Sequence, residues 1–186
     1  MKNLFKLQTL ALAAAFGATL LLPMAQAASM SKNDYSAAKS RISTDYSADK
    51  AACSGQTGNA KDICVQEAKA KEKVARAELE FGYTGTAKDG TKVRVAQAES
   101  AYAVAKERCD DQKGNAKDVC RKEAKAVEVK ALADAKLGRQ VGEARTDAAQ
   151  TKRDADYKVA AEKCDALSGD AKSQCMSTAK SSFGKS

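Results

Sequence analysis

The sequence predicts an all-α protein built from three repeated antiparallel helical hairpins, each stapled by a C-x10-C disulfide, in an extended or loosely bundled array. Three observations carry this expectation. The chain is rich in helix formers (Ala, Lys, Glu, Arg, Gln) and holds a single Pro, at position 23. It holds six cysteines, which fall into three equally spaced pairs. One unit of sequence recurs with a period of 56 and then 55 residues, a spacing that marks repeat architectures.

The N-terminal segment reads as a targeting signal. Lys2 and Lys6 give a positive start, an apolar run extends from Leu7 to Leu22, and Pro23 precedes Ala25-Gln26-Ala27. This is an A-x-A cleavage pattern, so residues 1–27 are expected to be a signal peptide, with the exported chain beginning at Ala28. The apolar run is short for a membrane span of about 20 residues. After cleavage the protein is expected not to span a membrane. Loss of Lys2 and Lys6 lowers the net charge from +8 to +6.

From residue 28 onward there are 32 Ala but only 18 Leu, Ile, Val and Phe. A large-apolar share this far below the roughly 20% of ordinary globular chains implies disorder or thin helical structure. The abundance of helix formers favours the second.

The repeated units are Cys53-SGQTGNAKDI-Cys64, Cys109-DDQKGNAKDV-Cys120 and Cys164-DALSGDAKSQ-Cys175. Tyr46, Tyr102 and Tyr157 each lie seven residues before the first Cys of a unit, and Ala68, Ala124 and Ala179 four residues after the second. Within each unit, Gly58, Gly114 or Gly169 is expected to end a helix in the left-handed conformation. Asn59, Asn115 or Asp170 would then cap the next helix. Asp62 and Asp118 would fall at its third position, where a carboxylate favours the positive helix end, with Ser173 in that place in the third unit. A turn this short makes the two helices antiparallel neighbours. Both cysteines of a pair then lie about 8 Å from the turn, level with each other. Small residues such as Ala105 and Ala124 permit the close approach that a disulfide needs. Pairing within units is thus expected: Cys53 with Cys64, Cys109 with Cys120, Cys164 with Cys175. The stripe Val95, Ala98, Tyr102, Ala105, Cys109 repeats at steps of three and four and reads as a short heptad seam. Tyr46, Tyr102 and Tyr157 are assigned to packing inside the hairpins.

These signals divide the chain into a first hairpin repeat at 28–80, a linker at 81–91, a second repeat at 92–137 and a third at 151–186. Gly82, Gly85 and Asp89-Gly90 mark the linker as a loop. Residues 138–150, with Gly138 and Gly142, read equally as a linker or as continuous helix.

No motif for catalysis or cofactor binding stands out. The chain has no His, which excludes His-based triads and His-ligated metal sites. It has no P-loop, nucleophile elbow or dinucleotide fingerprint. Two thiols per unit are too few for a tetrahedral zinc site, and a redox pair would more commonly be C-x-x-C. An even count in an exported chain favours structural disulfides. No catalytic residue, metal ligand or cofactor is therefore assigned. Glu67→Lys71, Glu72→Arg76, Asp118→Lys122 and Asp154→Lys158 have the favourable i,i+4 order and are expected to form solvated helix faces.

Basic and acidic side chains are interleaved. Residues 31–80 carry 9 basic and 8 acidic groups, residues 93–137 carry 10 and 8, and residues 138–186 carry 9 and 7. Nucleic-acid binders concentrate their basic groups on one face, so no nucleic-acid partner is expected. Weak attraction to an anionic envelope polymer or lipid surface fits better. Phe81, Tyr83 and Phe183 are the candidates for contact with an envelope protein.

The Ala/Lys/Glu-rich helical character behind a signal peptide resembles exported TolA-like cell-envelope biogenesis proteins, which implies a place in the envelope. The paired cysteines are also similar to the twin C-x9-C motifs of coiled-coil-helix proteins. Here the spacing is ten and each helix carries one Cys, so that likeness reads as convergent. The sequence points to a non-enzymatic, periplasmic structural or interaction protein of the envelope, with secretion beyond the envelope also open. The alternatives are a periplasmic chaperone or stress-response protein that binds unfolded clients, and thiol-based metal handling.

Overall fold

A computed structural model describes residues 30–185. The expected signal peptide and the start at Ala28 lie outside the described residues. Within them the chain forms five helices and no strand: α1 (Lys32–Ala52), α2 (Gly58–Thr84), α3 (Ala87–Arg108), α4 (Gly114–Asp165) and α5 (Gly169–Phe183). Each helix packs antiparallel on the next. Three of the four connections are the disulfide-bearing turns.

Helix α1 starts at Ser31, whose hydroxyl accepts from the Asp34 N–H at 3.1 Å and so satisfies one free amide of the first turn. Its half-buried positions are Tyr35, Ala38, Ile42, Tyr46 and Asp49, leading to fully buried Cys53. Steps of three and four give a narrow seam that faces α2. The first helices of hairpins one and two then tighten into 3-10 turns at Cys53–Gly55 and Cys109–Asp111, a common ending for an α-helix.

The turn differs from the sequence expectation in one respect. Gly58, Gly114 and Gly169 do take positive φ, at 56°, 55° and 57°. They open the second helix of each hairpin, however, and do not close the first. The capping positions fall on Thr57, Lys113 and Ser168, all extended and without a side-chain cap bond. Asp62 and Asp118 consequently lie beyond the first turn. Asn59, expected as a cap, instead reaches the second hairpin: its Nδ2 donates to the Glu107 carbonyl at 3.0 Å and to Asp111 Oδ1 at 2.8 Å.

The segment expected as a linker at 81–91 is helical apart from Gly85 and Thr86. Gly85 ends α2 at φ 63°, with its N–H on the Phe81 carbonyl. Thr86 caps α3 by accepting from the Asp89 N–H at 3.1 Å. Glycines at 82 and 90 lower helix propensity without forbidding a helix, and the close fit of the Phe81 ring over Gly90 shows what a bare position gains there.

Residues 138–150 are continuous helix inside α4, which runs for 52 residues, about 78 Å at 1.5 Å per residue. The contrast with Gly85–Thr86 has a local cause. Aligned on the first Cys of units two and three, the capping set Thr84, Thr86 and Asp89 corresponds to Arg139, Val141 and Ala144. None of these three can cap a new helix. Arg139 and Glu143 instead pair at 2.7 Å across one turn, which supports the helix through the two glycines.

The core is thin. Among the described residues the buried apolar side chains are Leu79, five alanines (Ala68, Ala96, Ala98, Ala135, Ala179) and the first Cys of each unit. Helix α3 lies between α2 and the N-terminal part of α4 and buries most. Residues 140–153 of α4 are exposed on every side.

Candidate interaction surfaces

The stapled ends repeat closely. Cα–Cα distances are 5.7, 5.7 and 5.6 Å for Cys53–Cys64, Cys109–Cys120 and Cys164–Cys175, at the usual disulfide separation of about 5.5–6 Å. The first Cys of each pair is 1% exposed. All six cysteines are oxidised, so no thiolate is on offer to a metal or a substrate in this state.

The three repeat tyrosines are half-buried, but their surroundings differ. Lys125 Nζ sits 4.9 Å over the Tyr102 ring. Tyr157 meets Phe183 edge-on at 6.4 Å, with Lys185 Nζ 5.9 Å from its ring. Phe183, a candidate for partner contact, therefore closes the third hairpin from within. Tyr83 stacks on Tyr35 at 4.6 Å, and the Tyr35 hydroxyl donates to Glu80 at 2.8 Å. That hydrogen bond, with burial and the Glu80 charge, raises the Tyr35 pKa above its usual value. Phe81 and Tyr83 still expose 42% and 39% of their surface. Tyr35 lies outside the repeated unit, so the repeat does not single it out. Its place on the Tyr46 stripe, eleven residues earlier, was the available signal.

Charged residues expected to pair along single helices largely tie helices together. Glu72–Arg76 forms as expected at 2.7 Å. Lys71, however, pairs with Asp49 of α1 at 2.8 Å, Glu67 with Arg108 of α3 at 2.5 Å, and Asp154 with Lys185 at 2.7 Å. Lys73–Glu99 adds a second bridge between α2 and α3. Antiparallel neighbours place such groups within reach, and a helix-surface rule cannot foresee them.

The densest polar cluster lies at the α2–α3 turn. Asp89 is buried, bridged to Lys92 at 2.7 Å, and accepts from the hydroxyls of Thr84 at 2.6 Å and Thr86 at 2.7 Å. The Lys92 ammonium, then the two threonines, hold this carboxyl well below the usual carboxylate range. Every partner is local, and the cluster works as a cap. Asp110 plays a linking part in hairpin two: burial pushes its pKa up, but Arg121 at 2.6 Å and Lys117 at 3.3 Å outweigh that and lower it.

Two exposed faces remain. An open groove of about 570 Å³ runs along hairpin three, lined by Ala160, Cys164, Ala171, Cys175, Ala179 and Phe183. The outward side of α4 carries exposed Val119, Val127, Leu137, Val141 and Val159. No described helix is long and apolar enough to cross a membrane. No family model, curated protein or solved structure matches this chain.

Proposed function

We propose that the protein is a non-enzymatic structural or interaction component of the cell envelope, exported by its N-terminal signal and working in the periplasm as an elongated spacer. The observation that carries this reading is α4: one continuous 52-residue helix bears a stapled hairpin near each end and is exposed all round at 140–153. Such a shape separates two bodies and offers long faces to partners. The disulfides suit an oxidising compartment. The TolA-like likeness supports an envelope role. The shallow groove on hairpin three keeps a client-binding chaperone as the second reading, since its lining is chiefly apolar. Thiol-based metal handling lacks ligands while all six cysteines are paired.

The test is fractionation of cells expressing the full-length chain, followed by co-sedimentation of the released protein with envelope fractions over a salt series. Release by osmotic shock with no thiol open to alkylation is expected. Envelope binding should be weak and vanish by 1 M salt, because the Debye length shrinks from about 10 Å at 0.1 M to about 3 Å at 1 M. Binding that survives salt but is lost in Phe81→Ala would identify a protein partner packed on that ring. Retention in the cytoplasm, or alkylatable thiols, would overturn the proposal. Suppression of a client's aggregation at equal molarity would favour the chaperone.

A further inference from the structure

We propose that the protein forms a two-fold symmetric dimer in which α4 pairs antiparallel with α4 of a second copy, centred at residue 143. Among the described residues, hairpins one and two meet chiefly through α2 and α3. Helix α2 docks on α3 through Asn59 to the Glu107 carbonyl, Glu67 to Arg108 and Lys73 to Glu99. Between these polar links, Val74 shares a groove with Ala101 and Val104.

The repeat carries both halves of this contact onto α4. Shifting α2 positions by 56 residues turns Asn59, Glu67 and Val74 into Asn115, Glu123 and Lys130. Shifting α3 positions by 55 turns Arg108, Ala101 and Val104 into Lys163, Asp156 and Val159. The ion pair Glu67–Arg108 thus recurs as Glu123 with Lys163. Where Val74 meets Ala101, the pair becomes Lys130 with Asp156, so an apolar contact is exchanged for one of opposite charges. Lys73–Glu99 does not recur, because position 129 is Val.

Neither recurring pair can close within one chain while α4 stays intact. Glu123 and Lys163 lie on the same helix, about 60 Å apart. A second copy running the other way brings Glu123 to the partner's Lys163 and Lys130 to the partner's Asp156. Two-fold symmetry makes each contact twice. Both pairs are symmetric about residue 143, which therefore lies at the two-fold axis in both copies.

The face this requires is present and bare. Val119, Ala126, Leu137, Val141, Ala148 and Val159 follow at steps of 7, 11, 4, 7 and 11, all near-whole numbers of helical turns, and all are exposed. The opposite side of α4, with Glu128 and Ala135, is the side buried in the fold. The stripe also continues through 140–153, where every residue is exposed and no other described helix packs. The second copy would cover it.

The rival occupant is the chain itself. If α4 broke at 140–142, hairpin three could fold back on hairpin two as hairpin two does on hairpin one. The capping residues that make that turn at Thr84, Thr86 and Asp89 are missing there, as described above.

The experiment uses the disulfide-intact protein. Sedimentation equilibrium should show a monomer–dimer equilibrium. Leu137→Asp sets a carboxylate against Ala148 and Ala149 of the second copy at two symmetric places and should leave a monomer with unchanged helical circular dichroism, since Leu137 is exposed in the single chain. Glu123→Lys should weaken the dimer about tenfold by replacing two attractions with two repulsions, and the added Lys163→Glu should restore it. Carbodiimide cross-linking of an equal mixture of ¹⁴N and ¹⁵N protein should give Glu123–Lys163 linkages of mixed isotope. Linkages of a single isotope only would overturn the proposal in favour of the folded-back monomer. A protein that remains monomeric at all concentrations, or a dimer indifferent to Leu137→Asp, would overturn it as well.

Discussion

Removal of the third staple should melt α5 selectively. Helix α5 has 15 residues, near the length at which an isolated helix is marginal. Besides the Cys164–Cys175 bond and the burial of Ala179, it is tied to α4 by the Tyr157–Phe183 edge contact and the Lys172–Asp165 bridge, and Lys185 just beyond it pairs with Asp154 and lies over the Tyr157 ring. Exposed bridges of this kind contribute about 0–1 kcal/mol each. The disulfide closes a loop of 12 residues, and the chain-entropy relation gives about 2.8 kcal/mol for it at 25 °C. That is roughly a hundredfold in the closing equilibrium, larger than either bridge. In a Cys164→Ala, Cys175→Ala variant, amide exchange over Gly169–Phe183 should quicken by about a hundredfold or reach the unprotected rate. The equivalent Cys109→Ala, Cys120→Ala variant should change α3 much less, because α3 is also held by α2 on its other side. Hydrogen–deuterium exchange read by mass spectrometry separates the two. Less than about threefold change over α5, or an equal loss over α3, would refute the view that hairpin three rests on its staple.

Gly114→Ala forces a side chain into φ 55° with nothing nearby to clash, so the cost is backbone strain alone, about 1 kcal/mol, to be seen as a lower midpoint in urea at unchanged slope. Asn59→Ala removes the donor to the Glu107 carbonyl and should destabilise the α2–α3 contact by about 1 kcal/mol, measurable as faster exchange in both helices with hairpin three unaffected. Asp89 titrates below its ordinary range in the folded protein, so its contribution is complete above the unfolded value of about 3.9 and is lost as pH falls towards the folded one. The Tm difference between wild type and Asp89→Asn should accordingly be constant from pH 7 to about pH 5 and shrink below about pH 4. A difference that grows on acidification would reverse the assigned sign.

The sequence by itself determined the helices, the three-fold repetition and the pairing of cysteines within units. Those features are local. Composition sets helix propensity, a glycine that must take positive φ marks each turn, and equal distances from that turn put two cysteines level. Even the stripe through Tyr102, Ala105 and Cys109 follows from helical period alone. What the tertiary structure decided is everything that depends on a neighbour. Gly85 and Gly142 look alike as punctuation, but only at Gly85 do Thr84, Thr86 and Asp89 converge to cap a new helix. Near Gly142 the ladder simply continues, at the modest expense of a glycine in a helix. Asn59 had every local reason to cap its own helix, and the nearby end of α3 drew it away. Glu67 and Lys71 had the right spacing to pair with each other, and α3 and α1 supplied Arg108 and Asp49 instead. Local rules rank the partners within one helix. Packing brings in partners from other helices, and for long flexible charged side chains those are often within equal reach.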